Sequence, residues 1–488
     1  MSNHHPEPAK TQLSSSQKNI KDFCHPTDYP ETCESTLSAA AGNSTDPKEL
    51  VNLAFQITID KINEAFNHST VLSEAAKDPR TSDALENCRE LLDYAIDDLR
   101  GSIDRLDGFS LIKLDKFLDD LKVWISATIT YQETCLDGFE NTTTNAAESM
   151  RKALNSSAEM TSNVLAIVTN RKLLAEEYPS WVSLGKRRLL QLSPAELKPS
   201  VTVAQDGTGD VKTINDALLR VPKKSNDTFV IYIKEGVYKE KVQVNRSLTN
   251  VIMVGDGTNK TKITGSLNYI DGTATFKTAT VAVIGDGFIG KDLWIENSAG
   301  AAKHQAVALR VQSDKSVFYN VRLDGYQDTL YVHTKRQFYR ECNISGTIDF
   351  IFGDGAAMFQ NCLILARKPM DNQQNIVTAQ GRKDRRQASA IILHNCTISA
   401  DPAFFPFREK LPTFLGRPWK EFSRTFDNRG PGANTSQRVK WKGVKIIDYA
   451  HAQKFTVEHF IQGNAWLPKT GVPYIPGLLP MSEAGRIH

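Results

Sequence analysis

A short motif recurs five times in the second half of this 488-residue chain and limits its possible folds more than any other feature. Each copy begins with Asn, Asp or Glu and continues as a short strand; the copies are Asp292-Leu293-Trp294-Ile295, Asn320-Val321-Arg322-Leu323, Glu341-Cys342-Asn343-Ile344, Asn361-Cys362-Leu363-Ile364 and Asn395-Cys396-Thr397-Ile398. Their second positions are separated by 28, 21, 20 and 34 residues. Strands recurring about every 20 to 30 residues are typical of a solenoid of parallel β-coils, whereas a sandwich repeats about every 8 to 12 residues. The repeat therefore predicts that this half is all-β and folds as a solenoid.

The solenoid predicts which side chains meet, because residues at one phase of neighbouring coils lie about 4.8 Å apart. Asp328 lies seven residues after Val321, and Asp349 lies seven residues after Cys342. We therefore expect the two aspartates side by side on one face. Two adjacent carboxyl groups rarely ionise together, so one should hold a proton beside the other as an anion, which is the arrangement of an acid and a nucleophile. Stacked aspartates that only cap turns are the structural alternative.

The cysteines of this half also share a phase. Cys342 and Cys362 occupy the same position on successive coils, and a modest adjustment would give them disulfide geometry. Cys396 has no obvious partner. The chain has seven cysteines without a CxxC pair, which favours disulfides over a zinc site.

The first half predicts an all-α four-helix bundle. A fourth helical stretch, at about 146 to 169, follows three segments with apolar residues spaced by three and four: Phe55, Ile59, Ile62 and Phe66; Leu85, Cys88, Leu92, Ala95 and Leu99; and Leu114, Leu118, Leu121 and Ile125. Short connections that contain Gly101, Gly108 and Gly138 predict antiparallel neighbours, as in up-and-down bundles.

Four of the seven cysteines belong to this half. Cys24 and Cys33 precede the bundle, whereas Cys88 and Cys135 lie on its second and third helices. Of the three possible connectivities, we favour pairing in order, Cys24 with Cys33 and Cys88 with Cys135.

Charge divides the chain in the same way. Residues 198–488 carry 39 Lys+Arg against 26 Asp+Glu, whereas residues 1–197 carry 20 against 30. A basic half attracts a polyanion and an acidic half can cover it, although a basic solvated surface explains the charge equally well. No apolar run approaches the roughly 18 residues of a membrane span, so we expect none.

Two further features bear on localisation. Residues 1–10 have no apolar stretch and are not expected to be a signal peptide. Ten Asn-x-Ser/Thr sequons nevertheless favour a secreted glycoprotein; they are at Asn43, Asn67, Asn141, Asn155, Asn226, Asn245, Asn259, Asn343, Asn395 and Asn434.

The first half resembles the pectin methylesterase and invertase inhibitor family over residues 20–170, because a short Cys pair precedes four helices with a second, distant pair. Residues 171–197 contain Arg171-Lys172-Leu173-Leu174 and Arg187-Arg188-Leu189-Leu190, which resemble the subtilase processing sites of two-domain pectin methylesterases. The resemblance implies an inhibitory or chaperone-like pro-domain and a processing protease as partner. An inert folding domain is the alternative.

The second half resembles plant pectin methylesterases, or pectinesterases, over residues 198–478. Five segments match the signature regions of that family in order and spacing: Gly236-Val237-Tyr238-Lys239-Glu240, Gln305-Ala306-Val307-Ala308-Leu309-Arg310, Gly325-Tyr326-Gln327-Asp328-Thr329-Leu330-Tyr331, Asp349-Phe350-Ile351-Phe352-Gly353 and Leu415-Gly416-Arg417-Pro418-Trp419. The resemblance implies a right-handed parallel β-helix that hydrolyses pectin methyl esters in the extracellular cell wall. The expected polyanion is thus a polysaccharide and not a nucleic acid.

The resemblance also implies residue roles. Asp349 would be the nucleophile and Asp328 the proton donor and later base. Gln305 and Gln327 would stabilise the oxyanion, and Arg417 would hold Asp349 ionised. No metal or other cofactor is required. The implied substrate contacts are Thr275, Gln305, Tyr331, Phe350, Arg417 and Trp419.

The chain departs from the family after Trp419. Arg424-Thr425-Phe426-Asp427 runs almost directly into Asn428-Arg429-Gly430-Pro431-Gly432, so about 30 residues, or one coil, are missing. One alternative hypothesis is therefore a catalytically impaired pectin-binding protein whose helical domain inhibits other pectin methylesterases. Another is a calcium-dependent pectate lyase, which would need a carboxylate cluster for the metal.

Overall fold

The computed structural model describes residues 15–42, 44, 46–66, 78–107, 114–140, 142, 144–170, 198–418 and 447–478. The chain divides into two compact units, Met1–Trp181 and Val182–His488, and each is described by itself. Within the described ranges, no helix is both long and apolar enough to cross a membrane.

The described part of the first unit is helical. Its helices are α1 (Ser15–Cys24), α2 (Pro30–Ala40), α3 (Pro47–Phe66), α4 (Pro79–Asp107), α5 (Leu114–Asp137) and α6 (Ala146–Thr169). The four long helices are those that the apolar stripes predict; α4 packs against α5, and α6 packs against both α3 and α5. The four-helix bundle is thus confirmed.

One predicted connection in the bundle is wrong. Gly101 lies inside α4 and not between helices. The apolar stripe continues past it to the buried Leu106, and the packing of that last turn against the bundle outweighs the low helix propensity of one glycine. Gly108 lies outside the described residues.

The structure joins the cysteines of this unit in the predicted order. Cys24 bonds to Cys33, where α1 is followed by α2. Cys88 on α4 bonds to Cys135 on α5, across Cα atoms 4.3 Å apart. The second bond therefore ties together two neighbouring long helices of the bundle.

The second unit is built from short strands. They are β1 (Val201–Val203), β2 (Phe229–Ile233), β3 (Gly236–Tyr238), β4 (Val242–Val244), β5 (Val251–Gly255), β6 (Thr261–Gly265), β7 (Val281–Val283), β8 (Ile289–Lys291), β9 (Trp294–Asn297), β10 (Leu309–Val311), β11 (Ser316–Tyr319), β12 (Arg322–Asp324), β13 (Leu330–Val332), β14 (Arg336–Arg340), β15 (Asn343–Gly346), β16 (Ile351–Gly353), β17 (Ala356–Gln360), β18 (Leu363–Ala366), β19 (Asn375–Gln380), β20 (Ala390–His394), β21 (Thr397–Ala400) and β22 (Thr413–Pro418). Three short helices accompany them: α7 (Ile214–Leu219), α8 (Tyr449–Ala452) and α9 (Val457–Phe460).

These strands form three parallel sheets. Sheet A has the order β1-β2-β5-β8-β11-β14-β17-β20, sheet B has the order β21-β18-β15-β12-β9-β6-β3, and sheet C has the order β22-β19-β16-β13-β10-β7-β4. From β2 onwards, successive strands of the chain pass from A to B to C and back to A, so each coil adds one strand to each sheet. This is a parallel β-helix, as predicted.

The sequence repeat marks the corner between sheets A and B. All five copies place their strand in sheet B. Asp292, Asn320, Glu341, Asn361 and Asn395, the first residues of the copies, have φ between 51° and 56°. Asn and Asp adopt this left-handed conformation more readily than most residues. Nδ2 of Asn320 donates to Oδ1 of Asp292 (2.5 Å), and Nδ2 of Asn395 donates to Oδ1 of Asn361 (2.8 Å). Side chains of neighbouring copies thus pair at two places along this corner, and these two pairs are called the corner ladder.

The predicted disulfide between Cys342 and Cys362 is not formed, and this prediction is corrected. Cys342, Cys362 and Cys396 are buried free thiols in one column of the core. Side chains of in-register parallel neighbours point in the same direction, so a bond would require each sulfur to turn along the stack. Each Sγ instead approaches a carbonyl oxygen of the preceding coil, at 3.3 Å for Cys342 and Phe318 and at 3.5 Å for Cys362 and Tyr339.

Residues 447–478 cover the outer face of sheet A. A second apolar cluster joins this segment to the sheet; its buried members are Val317, Phe338, Ala356 and Met358 of the sheet and Val457, Ile461, Trp466, Leu467 and Val472 of the segment. Gln360 also exchanges two hydrogen bonds with the backbone of Ile475, at 2.8 and 3.0 Å. The segment is therefore part of the fold of the second unit.

Replacement of Trp466 by Ala should lower the free energy of unfolding of the second unit by about 3 to 5 kcal/mol, because it leaves a cavity under the segment. The indole is 8% exposed and donates to the carbonyl of Ile461 at 2.8 Å. Tyr449→Ala is the matched control, because that ring is 44% exposed and its loss should cost less than about 0.5 kcal/mol. Urea unfolding of both variants measures the difference, and equal losses would contradict the packing.

Candidate active site

Asp328 and Asp349 lie at the corner between sheets B and C on successive coils. Both residues have a left-handed backbone conformation, with φ of 64° and 49°. The following strands are in register, with Leu330 opposite Ile351, and the amide of Asp328 donates to the carbonyl of Ile348 at 3.0 Å. The two carboxyl groups thus occupy equivalent positions on neighbouring coils. Their side chains are buried, at 7% and 6% exposed.

Arg417 reaches this corner from strand β22. In sheet C, Phe352 lies opposite Ala379, and Ala379 lies opposite Arg417. Nε of Arg417 donates to Oδ1 of Asp349 at 2.8 Å and to Oδ2 at 3.1 Å, and its Nη2 donates to Oδ2 as well. Such a bidentate pair is the geometry in which a guanidinium makes its strongest hydrogen bonds to a carboxyl group. The same hydrogen bonds raise the pKa of Arg417.

Asp328 has a different environment. Burial, followed by the charge of Asp349, raises the pKa of Asp328 well above its ordinary value, and Arg417 offsets only part of this. Asp328 therefore holds a proton at pH values where an ordinary carboxyl group is ionised. The corner thus brings two carboxyl groups side by side in different surroundings, as the spacing predicted for their positions.

Gln305 and Gln327 lie on the loops that lead into β10 and β13, which are neighbours in sheet C. The amide of Ala306 donates to the carbonyl of Gln327 at 3.2 Å, so the two loops are in contact. Both glutamine side chains are half-buried. Oε1 of Gln305 is buried without a hydrogen-bond partner in the part of the chain that the structure describes. An unpaired amide oxygen of this kind can accept a hydrogen bond from a ligand.

Two of the predicted aromatic contacts are corrected. Phe350 is fully buried in the core of the β-helix, because both Phe350 and Ile351 turn inward after the left-handed corner residue. Tyr331 lies on the outer side of sheet C but is only 4% exposed. Its ring stacks on Phe352 at 4.2 Å and contacts His333 at 4.6 Å. Neither residue offers an open ring face to a sugar.

Of the other predicted substrate contacts, the structure describes Thr275 but not Trp419. Thr275 is half-buried on a short 3₁₀ turn, Thr275–Lys277, between β6 and β7. The same loop adjoins the predicted oxyanion residues, since the amide of Tyr269 donates to the carbonyl of Gln305 at 2.9 Å. Trp419 and the processing residues Arg187, Arg188, Leu189 and Leu190 lie outside the described residues.

Sequence reasoning assigned no role to Arg310, although it is a buried cation in sheet C. Arg310 lies opposite Tyr331 in sheet C, and its guanidinium carbon is 3.5 Å from the ring centroid of Phe276. The interval from Arg310 to Tyr331 is 21 residues, the same as the interval from Asp328 to Asp349. That shared interval was the signal that could have placed Arg310 opposite Tyr331.

Comparison with known families agrees with this geometry. The model described as "Pectinesterase" matches residues 200–427 and 424–464. This chain belongs to the pectinesterase family. The model described as "Plant invertase/pectin methylesterase inhibitor" matches residues 18–167, which contain the helical bundle.

Relatives of this pectinesterase-family chain match it over nearly its full length. "Probable pectinesterase/pectinesterase inhibitor 21" of Arabidopsis thaliana is 47% identical over 97% of this chain and 78% of its own length. "Pectinesterase 1" of Arabidopsis thaliana is 42% identical over 93% of this chain and 87% of its own length. The solved structure "Pectin methylesterase from Carrot" is 45% identical, covers 58% of this chain and 99% of its own, and has a TM-score of 0.56.

The match to the pectinesterase family breaks where the sequence departs from the family pattern. The two matched segments meet at residues 424–427, beside the predicted loss of about one coil. Residues 419–446 lie outside the described part of the chain. The described coils nevertheless include β22, so the strand that carries Arg417 is in place beside Asp349.

The raised pKa of Asp328 predicts that the free energy of unfolding falls as pH rises. Above the ordinary carboxyl pKa of about 4, the unfolded chain releases a proton that folded Asp328 retains, so the free energy of unfolding falls until pH exceeds the folded pKa. Asp328→Asn removes this titration. Its stability relative to the parent should therefore increase between about pH 4 and pH 7 in urea unfolding. A difference that is constant over this range would show that Asp328 titrates normally.

Proposed function

We propose that the paired carboxyl groups of this pectinesterase-family enzyme hydrolyse the methyl esters of pectin (homogalacturonan) and release methanol. The mechanism is supported by one observation, which is that the two aspartates have different surroundings. Asp349 is bound in a bidentate way by Arg417, whereas burial and the neighbouring charge favour the protonated form of Asp328. Family membership gives the reaction class, and this geometry supports a role for each residue.

In the first half-reaction, a carboxylate oxygen of Asp349 attacks the carbonyl carbon of the ester and forms a tetrahedral intermediate. When this intermediate collapses, the bond to the methoxy oxygen breaks, and Asp328 gives that oxygen its proton. Methanol leaves, and Asp349 remains joined to the galacturonate as an anhydride. In the second half-reaction, Asp328 removes a proton from water, which attacks the acyl carbon and regenerates the carboxylate of Asp349.

The oxyanion of each tetrahedral intermediate needs hydrogen-bond donors. Gln305 and Gln327 lie on adjoining loops beside the aspartate corner, and their side-chain amides supply neutral donors. Neutral donors suit this reaction, because a cation at that position would also bind the product carboxylate tightly. Arg417 instead stays paired with Asp349, and Thr275 belongs to the loop that borders Gln305.

The helical unit is proposed to act as an intramolecular inhibitor-like pro-domain. Its support is the match of residues 18–167 to the inhibitor family and the acidic balance of residues 1–197 beside a basic second half. The proposed domains are residues 20–170 and 198–478, with a linker at 171–197. A subtilase-type protease is the proposed partner that cuts near Arg188.

Secretion to the cell wall is also proposed, and its support is the set of ten sequons. The structure distinguishes among the sequons it describes. Asn226, Asn245, Asn259 and Asn343 are exposed. Asn395 instead has a left-handed backbone and uses its Nδ2 in the corner ladder, and a glycan would occupy that nitrogen.

Peptide mapping of the chain, secreted from a eukaryotic host, should therefore find an N-linked glycan on Asn226 and none on Asn395. The physical reason is that a folded coil has no room for a substituted Nδ2 between Asn395 and Asn361. Asn226 is the internal control for transit through the glycosylation machinery. A glycan on Asn395 in folded protein would contradict the corner ladder.

Methanol release from highly methylated pectin tests the reaction. The assay uses the full chain and the same chain cut by a site-specific protease whose recognition site replaces Arg187–Leu190. Asp349→Asn should lower the rate by at least about 10³-fold, because an amide cannot replace the attacking carboxylate. Asp371→Asn is the matched control, since that side chain is 96% exposed, and its rate should equal that of the parent.

Comparing the cut and uncut chains tests the esterase activity and the inhibitory role of the pro-domain separately. A higher rate after cutting would support a pro-domain that inhibits its own enzyme. If neither form releases methanol although both are folded, the esterase proposal fails, and the alternative of an impaired regulatory protein gains its first direct support.

A further inference from the structure

Arg367 lies at the same corner as the two aspartates, and no role was assigned to it from the sequence. It follows strand β18 directly, one coil beyond the coil that carries Asp349. Its backbone amide donates to the carbonyl of Gly346 at 2.8 Å, which fixes the start of the side chain at the neighbouring coil. From there the side chain extends back over two coils.

The guanidinium of Arg367 binds one particular turn. Nη1 donates to the carbonyl of Gly325 at 2.8 Å, and Nη2 donates to Oη of Tyr326 at 3.0 Å. Its central carbon also lies 3.9 Å from the centroid of the Tyr326 ring. On the opposite side, Nε is 3.8 Å from a carboxylate oxygen of Asp401, which lies one coil further on. The cation thus contacts groups on two other coils.

The turn that Arg367 binds carries two proposed site residues. Gly325 and Tyr326 are followed directly by Gln327 and Asp328. A displacement of Tyr326 therefore also displaces these two residues. The turn has little room, because a Cβ on Gly325 would lie 2.6 Å from Oγ1 of Thr329. Its backbone is joined to the next coil by the amide of Thr347, which donates to the carbonyl of Tyr326 at 2.9 Å. The amides of Gly325 and Asp328 also donate to that coil, to the carbonyls of Ser345 and Ile348. These three bonds hold the backbone of the turn but do not involve the Tyr326 side chain.

We propose that Arg367 is a positioning residue for the esterase reaction: it clamps the turn 325–328 so that the Gln327 amide and the Asp328 carboxyl group stay beside Asp349. This inference rests on the proposed function. A planar guanidinium can donate to a carbonyl and a phenol while it stacks on the ring, whereas a lysine ammonium cannot make all three contacts in one geometry. Displacement of a reacting group by about 1 Å costs roughly 10²-fold in rate.

The test compares Arg367→Lys, Tyr326→Phe and the double variant in the full chain, before and after the cut in the linker. Arg367→Lys should lower kcat about 10²-fold and leave KM within about twofold, because the contact acts on the reacting groups and not on pectin binding. Tyr326→Phe removes one hydrogen bond but keeps the ring, so it should cost about two- to tenfold. The double variant should lose less than the product of the single losses, because both changes affect one contact.

The pH profile provides a readout that a merely structural arginine would not change. Asp349 and Arg417 are the charged groups that act on Asp328, and displacement of the turn moves Asp328 away from Asp349 and towards water. The alkaline limb of the kcat profile should therefore move to lower pH in Arg367→Lys. The fall in stability between about pH 4 and pH 7 that is assigned to Asp328 should also become smaller, and this measurement does not require turnover.

Arg408→Lys is the matched control. Arg408 also stacks on an aromatic ring, Phe405, at 3.8 Å and donates to a backbone carbonyl at 2.8 Å, but it does not contact the turn. Its kcat and pH profile should be those of the parent. If Arg367→Lys lowers stability while kcat, the pH profile and the pH dependence of unfolding stay unchanged, Arg367 is structural and the proposal is overturned. An inactive parent would instead overturn the proposed function, whereas the unfolding measurement would still decide whether Arg367 positions Asp328.

Discussion

The register between neighbouring coils is the constraint on which the rest of the second unit depends. Asp328 meets Asp349 only because Leu330 pairs with Ile351, and a slip of one residue would turn alternate side chains to the other face of the sheet. Two features fix the register. Inward apolar side chains stack in columns through the core, and left-handed corner residues mark the same point of each coil. Loops of variable length lie between the strands, so differences in repeat length do not alter the pairing.

The partners of a buried carboxyl group decide its protonation, as two aspartates of this unit show. Asp314 is as buried as Asp328. Although burial alone would raise the pKa of Asp314, Arg336 holds it well below its ordinary value, with Nε of Arg336 at 2.8 Å from Oδ1. Asp328 instead faces another carboxyl group, and its pKa is raised. The same fold therefore contains a permanent anion that binds an arginine and an acid that can release its proton during a reaction.

Arginines bring together groups that lie on different coils. Arg417 joins strand β22 to Asp349, and Arg367 joins its own coil to the turn before Asp328. A long side chain with several donors can cross the spacing of about 4.8 Å between coils more than once. The backbone thus sets the positions of the carboxyl groups, and these cations connect the positions across the stack.

The sequence by itself determined the features that follow from local periodicity. The five-fold motif placed β9, β12, β15, β18 and β21 in one sheet, and the equal spacing from Val321 and Cys342 placed Asp328 beside Asp349, because phase along a coil is a property of the chain itself. Only the tertiary structure decided the side-chain directions at the corners. A left-handed residue breaks the alternation of a strand, so Phe350 turns into the core. The thiols of Cys342 and Cys362 stay unbonded, and each lies near a carbonyl oxygen of the preceding coil. It also decided the contacts of Arg367, because its partners are 41 and 42 residues away in the sequence and only the stacking of the coils brings them within its reach.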